Sequence, residues 1–334
     1  MPLESRFKVL DGWRGLSILT VLSCHLLPLG PKFLQLNFTA GLLAMSLFFT
    51  LSGFLVTHFL TTRTDILDFL IRRFFRILPL AWLYILIVFM IYPATRDVWL
   101  AHMFFYANYP PKPLIHVTDH LWSLCVEIHF YIGIALIVRL FKKNGLLLIP
   151  IICIGITLLR VYAGKHDSVI THFRVDEILA GGILALIYDR QLGEKIFGSL
   201  TELKFVFLAL LLLVSCHPYS GFMNYFRPYL VAAVIGATMF NPNLRFSKLL
   251  ENKTLFYIAS ISYALYVIHP LLASTWLGSG DGWDKYSKRP LLFLILFICA
   301  HLSTFYYEHK AIEIGKRLSL LLSKLKFNKY FIAK

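Results

Sequence analysis

Residues 11–27 read DGWRGLSILTVLSCHLL and place two ionisable side chains, Arg14 and His25, in an otherwise apolar run. Eleven positions separate them. On a helix that spacing leaves them about 20° apart around the axis and about 16 Å apart along it. One face therefore carries a guanidinium at one end and an imidazole near mid-span. Ionisable groups are costly in hydrocarbon and usually functional there, so the segment points to chemistry inside a membrane.

The rest of the chain agrees with a membrane setting. Of its 334 residues 58% are hydrophobic, and the mean hydropathy is +0.69. A soluble domain with this composition would have almost no polar residues left for its surface. Apolar stretches of about span length recur at roughly 14–30, 39–60, 76–93, 121–141, 145–162, 176–190, 204–217, 228–241, 255–275 and 290–308. The expected fold is all-α: a polytopic transmembrane helical bundle of about ten spans. Residues 1–313 form the transmembrane domain and 314–334 a basic tail. The sixth to eighth stretches are short, which suits tilted, buried or broken helices. The first run lacks a small-residue cleavage site after Leu29 and is not expected to be a removable signal peptide. No internal repeat is evident.

The net charge of +15 is dispersed between the apolar stretches, which excludes a nucleic-acid partner and favours a topology signal. With the N-terminus inside, 23 of the 33 Lys and Arg fall in cytoplasmic segments. The bias predicts both termini in the cytoplasm and a multi-pass location in the inner (plasma) membrane. The longest outside segment, 94–120, includes the apolar and aromatic stretch VWLAHMFFYANY, which suits a re-entrant or interfacial helix. The five cysteines lie in apolar runs without metal-ligand spacing and read as reduced packing residues, so no metal is expected.

Several further segments carry candidate chemistry. In SLFFTLSGFLVTHFL, Ser46, Ser52 and Gly53 would let helices approach closely. The cluster IRRFFRILPL holds Arg72, Arg73 and Arg76 at the cytosolic start of a span, where they could anchor the topology or bind phosphates. DHLWSLCVEIHFYIG sets His120 and Glu127 on one face, seven apart. A lone carboxylate in a span needs a partner, and Glu127 could orient His25 or His120 or cap an arginine such as Arg14. THFRVDEILAGGILAL brings Arg174, Asp176 and Glu177 to the entry of the sixth stretch, with Gly181 and Gly182 for tight packing. IASISYALYVIHPLL aligns Ser262, Tyr266 and His269 on one face, after which Pro270 should kink or open the helix. His269 reads as a structural or substrate-facing group. Glu308 reads as an interfacial lock.

Taken in order, the Arg14–His25 pair, SGFLV, the Arg73–Arg76 pair, WSLCVEIHFY and ISYALYVIHP resemble the membrane acyltransferase-3 family, and the resemblance runs from Phe7 to Glu313. Members of that family O-acetylate lipopolysaccharide O-antigen, exopolysaccharide and Nod factors. The resemblance implies that His25 is essential for acyl transfer. It also implies that Arg14 matches the arginine upstream of that histidine, that Arg73 and Arg76 match the double-arginine motif, and that Glu127 matches the family's span-four glutamate. Members often carry an extra span and a periplasmic esterase-like domain, whereas this sequence reads as the transmembrane unit alone.

The expectation is therefore an integral membrane O-acyltransferase. It would move an acyl group, acetyl by family frequency, from cytosolic acyl-CoA to a hydroxyl of a carbohydrate or glycolipid. Acyl-CoA is a co-substrate and no cofactor is permanently bound. His25 and Glu127 are the catalytic candidates, and Arg14, Arg72, Arg73 and Arg76 would hold the donor. Asp11, His120, Trp122, Ser123, Arg174, Asp176, Tyr266 and His269 would face or support the acceptor. The partners are the donor, the acceptor and the lipid bilayer; a homo-oligomer is compatible with the sequence. A secondary transporter or glycan flippase would also use charges buried in spans.

Overall fold

A computed structural model describes residues 8–332 apart from 64, 112, 191 and 199, with side chains of the last helix described to Ser323. Arg6, Lys112 and Lys334, counted in the charge bias, lie outside the described residues, as do the side chains of the tail beyond Ser323. The elements are α1 (Lys8–Leu26), α2 (Leu36–Thr62), α3 (Ile66–Ile91), α4 (Arg96–Met103), α5 (Trp122–Phe141), α6 (Ile149–Tyr162), α7 (Asp176–Asp189) and α8 (Gly193–Phe197). They continue with α9 (Glu202–Cys216), α10 (Arg227–Phe240), α11 (Arg245–Leu250), α12 (Lys253–Ser260), α13 (Ser262–Ala273), α14 (Gly282–Ser287), α15 (Arg289–Leu302) and α16 (His309–Ile332). Among the described residues there is no strand. The all-α expectation is met.

Each of the ten apolar stretches is helical over most of its length, and the sixth to eighth are short, as expected. Among the described residues four helical stretches are long and apolar enough to cross a membrane: Lys32–Thr62, Ile66–Ile91, Asp119–Tyr162 and Gly282–Ser323. The third has 44 residues and contains both α5 and α6. A fifth candidate is the pair α12 and α13, bent by 65° at a break. The helices α7, α9 and α10 have 14, 15 and 14 residues. At about 1.5 Å per residue these reach only about 21–23 Å, short of a hydrocarbon core of about 30 Å. The bend in the ISYALYVIHP region differs from expectation. It lies at Ile261, between α12 and α13, and α13 continues through Pro270 to Ala273.

The α2–α7 contact organises one side of the bundle. A Cβ at Gly53 would lie 1.8 Å from the Ile178 carbonyl oxygen, and one at Gly181 would lie 1.9 Å from that of Thr50. No side chain fits in either place, so glycine is what allows the two backbones to touch. Buried ion pairs then fix the end of α7. Asp176 pairs with Arg160 of α6. Glu177 pairs with Arg227 of α10 at 2.8 Å and with Arg174 at 3.2 Å. Removing one member would leave an uncompensated buried charge, typically at a cost of about 3–5 kcal/mol. Helix α1 is held on its far side by the Trp13 indole, which donates to Thr238 Oγ1 of α10 at 2.9 Å. The 94–120 segment does contain a short helix, α4, whose His102 is buried between the Val98 carbonyl (2.8 Å) and Thr118 Oγ1 (2.9 Å).

Candidate functional site

Two cavities lie along α1, and α13 borders both. The smaller comprises about 720 Å³ of atom-free space, part of it open to the outside, and is lined by Arg14, Arg73 and Arg76 with Ser52, Glu127, Tyr131, Ser262 and Tyr263. The larger, about 1860 Å³, is lined by His25, His116, His120 and His269, with Asn37, Asp119, Trp122 and Arg174 among the other polar or aromatic groups. Met45 and Tyr266 line both, so the cavities adjoin at these two side chains. The shared helical face expected for Arg14 and His25 therefore serves two compartments, with the guanidinium in one and the imidazole in the other.

The arginine cavity is a fixed-charge site. Arg14 interacts electrostatically with Arg73, Arg76, Asp11 and Glu127. Glu127 accepts from Ser52 Oγ at 2.6 Å and from the Tyr131 hydroxyl. The Tyr131 ring in turn lies 5.8 Å from the Arg73 guanidinium carbon, a cation–π distance. Three arginines beside one carboxylate leave an excess of positive charge, and guanidinium forks match phosphate geometry. Arg72 is placed elsewhere: it pairs with Asp68 one turn earlier and does not line the cavity. Asp11 stays near Arg14 without lining either cavity.

The histidine cavity is ordered by hydrogen bonds between its rings and the backbone. Nδ1 of His269 lies 2.7 Å from the Tyr266 carbonyl and 3.2 Å from that of Leu265. A carbonyl only accepts, so this nitrogen carries the proton, and Nε2 of a neutral His269 is an acceptor. His25 Nδ1 lies 2.9 Å from that Nε2 and must donate to it. The lone pair of His25 is thereby assigned to Nε2, the nitrogen that His269 does not occupy. Tautomer and ring orientation of a reactive histidine are commonly set by such a second hydrogen bond. His269, which the sequence suggested as structural or substrate-facing, thus holds His25. Among the described residues no hydrogen bond joins Glu127 to His25; the carboxylate stands with the arginines.

The remaining candidates divide between the cavities and the frame. Tyr266 donates to the His120 carbonyl at 2.6 Å and bonds the Ser123 hydroxyl at 2.7 Å, fixing the partition between the compartments. The His120 ring lines the histidine cavity edge-on to Tyr84 and Tyr266. Trp122 lies under the Arg174 guanidinium at 5.3 Å, and both line that cavity. Asp176 is fully buried in its pair with Arg160 and faces neither cavity. Sequence reasoning missed Tyr131 and the pairing role of Ser52. The i,i+4 spacing of Glu127 and Tyr131 was a usable signal for the first; nothing local indicates the second, which joins α2 to α5. Glu308, read as an interfacial lock, is buried in a π-helical turn where it accepts from Ser303 and Thr304 at 3.1 and 3.0 Å.

Comparison with known proteins bears on what such a pair of compartments does. The chain is 25% identical over 322 residues to the peptidoglycan O-acetyltransferase OatA of Listeria monocytogenes, covering 80% of this chain and 49% of that protein. It is 26% identical over 307 residues to the O-acetyltransferase OatA of Staphylococcus aureus strain NCTC 8325, covering 78% and 49%. It thus spans about half the length of these curated relatives. No solved structure matches it. The family model described as "Acyltransferase domain" matches residues 7–308, nearly the whole chain, and with that match the chain belongs to the acyltransferase-3 family.

Proposed function

We propose that the protein is an integral-membrane O-acyltransferase that carries an acetyl group from cytosolic acetyl-CoA to a hydroxyl of a carbohydrate or glycolipid. The observation that carries this reading is the junction at Met45 and Tyr266, where an arginine-lined cavity adjoins one that contains a histidine with an assigned lone pair. Arg14, Arg73 and Arg76 would hold the donor's phosphates by charge-assisted hydrogen bonds. The thin pantetheine arm would then extend past Met45 and Tyr266 towards His25. His25 Nε2 removes the proton from the acceptor hydroxyl. The resulting alkoxide attacks the thioester carbonyl, the C–O bond forms, and the C–S bond breaks. CoA leaves as a thiolate and takes up the proton that His25 had accepted. Proton transfer of this kind typically contributes about 10²–10⁴-fold.

The excess of Lys and Arg in alternate segments supports a topology with the arginine cavity towards the cytosol and the histidine cavity towards the outside. The Listeria relative named for peptidoglycan O-acetylation favours a cell-envelope glycan as acceptor. Purified protein in lipid vesicles, given acetyl-CoA labelled in its acetyl group and an envelope glycan extract, should produce labelled ester on the glycan. Counterflow of an intact solute with no acyl chemistry would replace this reading with a transporter. Cysteine labelling should reach Ser168→Cys only from outside and Asn144→Cys only from inside; the opposite pattern would reverse the cross-membrane direction.

A further inference from the structure

Arg289 opens α15 and lines the histidine cavity. It is 5% exposed, and its Nε and Nη1 are buried with no hydrogen-bond partner among the described atoms. A buried guanidinium in that condition loses its water and gains nothing in return, at a cost larger than for a neutral donor. Two structural explanations fail. A snorkelling anchor would extend its head to water or lipid headgroups, whereas Nε and Nη1 here are turned away from both. A helix-stabilising charge would sit at the C-terminal end, because a cation at the N-terminus opposes the helix dipole.

The surroundings favour an anion. Lys285 lines the same cavity and makes no ion pair among the described residues; its ammonium lies 5.9 Å from the Tyr286 ring. The cavity's carboxylates are Asp119 and Asp167. Asp167 is committed to Arg174, and Asp119 forms no ion pair with either cation. Lys288, next in the chain, is already neutralised by Asp284 at 2.9 Å.

We infer that Arg289 and Lys285 form an anion subsite in the histidine cavity, which takes a carboxylate or phosphate of the acceptor and so positions a neighbouring hydroxyl for His25. The subsite follows from the unpartnered guanidinium; its assignment to an acceptor rests on the O-acyltransferase reading. A bidentate guanidinium–carboxylate contact supplies direction as well as attraction, which a reaction on one hydroxyl among many requires.

The test is binding, so it does not depend on turnover. The full chain in zwitterionic nanodiscs is titrated with tetragalacturonate and with the same tetramer reduced to its neutral form. The acidic probe should bind at least tenfold more tightly. Arg289→Gln should abolish that preference while leaving the weak binding of the neutral probe, Arg289→Lys should keep part of it, and Lys285→Gln should reduce it even if Arg289→Gln fails to fold. Equal binding of both tetramers to the wild type, or an unchanged preference in folded Arg289→Gln, would overturn the subsite. Nanodiscs containing phosphatidylglycerol separate the sources of the anion. If that lipid displaces the acidic tetramer from the wild type, the subsite is upheld as a lipid-headgroup site and its assignment to the acceptor is overturned. If acyl transfer is never detected yet the acidic preference depends on Arg289, the subsite stands and the enzymatic reading falls.

Discussion

The two cavities differ in the kind of charge they present. The arginine cavity holds groups that stay protonated at any working pH, set beside a carboxylate that Ser52 and Tyr131 keep in place. The histidine cavity holds imidazoles, each of which in its neutral form offers one donor and one acceptor nitrogen, and more than twice the open space. On the proposed reading the difference is a division of labour: fixed charge suits holding an anionic carrier, and a ring with a free lone pair suits chemistry on a bulky partner. Met45 and Tyr266, common to both linings, join the two tasks.

The largest expected effect tests that division directly. His25→Ala should lower acyl transfer by about 10²–10⁴-fold, the usual contribution of a general base, while donor affinity and membrane insertion stay at wild-type levels. A matching loss of donor binding, measured by filtration of labelled acetyl-CoA, would show that the cavities do not act separately.

His269→Ala should come next, with kcat reduced on the order of tenfold or more by loss of the correct tautomer of His25, and with little change in KM for the donor. Glutamine can still accept from His25 Nδ1 through its side-chain oxygen, so His269→Gln should recover part of the loss. Failure of glutamine to do better than alanine, in steady-state assays of both, would remove His269 from its positioning role.

On the other side of the partition, Arg73→Ala or Arg76→Ala should weaken donor binding by about 10- to 150-fold, in line with the roughly 1.5–3 kcal/mol typical of hydrogen bonds to charged groups. Lysine should restore it only in part because the fork is lost. Unchanged affinity in both alanine variants would reduce these arginines to a topology signal.

Glu127→Gln should have the smallest effect. The amide oxygen can still accept from Ser52 and Tyr131, so the frame survives while one charge is lost. Donor affinity should change by only about threefold, and kcat should remain within about twofold. A fall in kcat like that of His269→Ala would return Glu127 to the reacting centre and merge the two compartments.

How far the sequence reaches is clear from particular residues. It determines that the chain is helical and membrane-embedded, because long apolar stretches can bury their backbone polar groups in lipid only as helices. It also determines that Arg14 and His25 share a face of α1, since helical periodicity is a local property. That the helices carrying Gly53 and Gly181 could pack closely was legible, since a missing side chain allows such contact; that they pack on each other was not. The shortness of α7 was legible, but apolarity alone does not tell a short buried helix from a tilted or broken one, as all of them avoid water. Only the tertiary structure decided the partners. Glu127 meets Ser52, 75 positions away, and His25 meets His269, 244 positions away. A titratable group can be recognised from sequence as needing a partner, but which one it finds depends on how helices distant in the chain pack together, and that packing separated the carboxylate from the histidine it might have served.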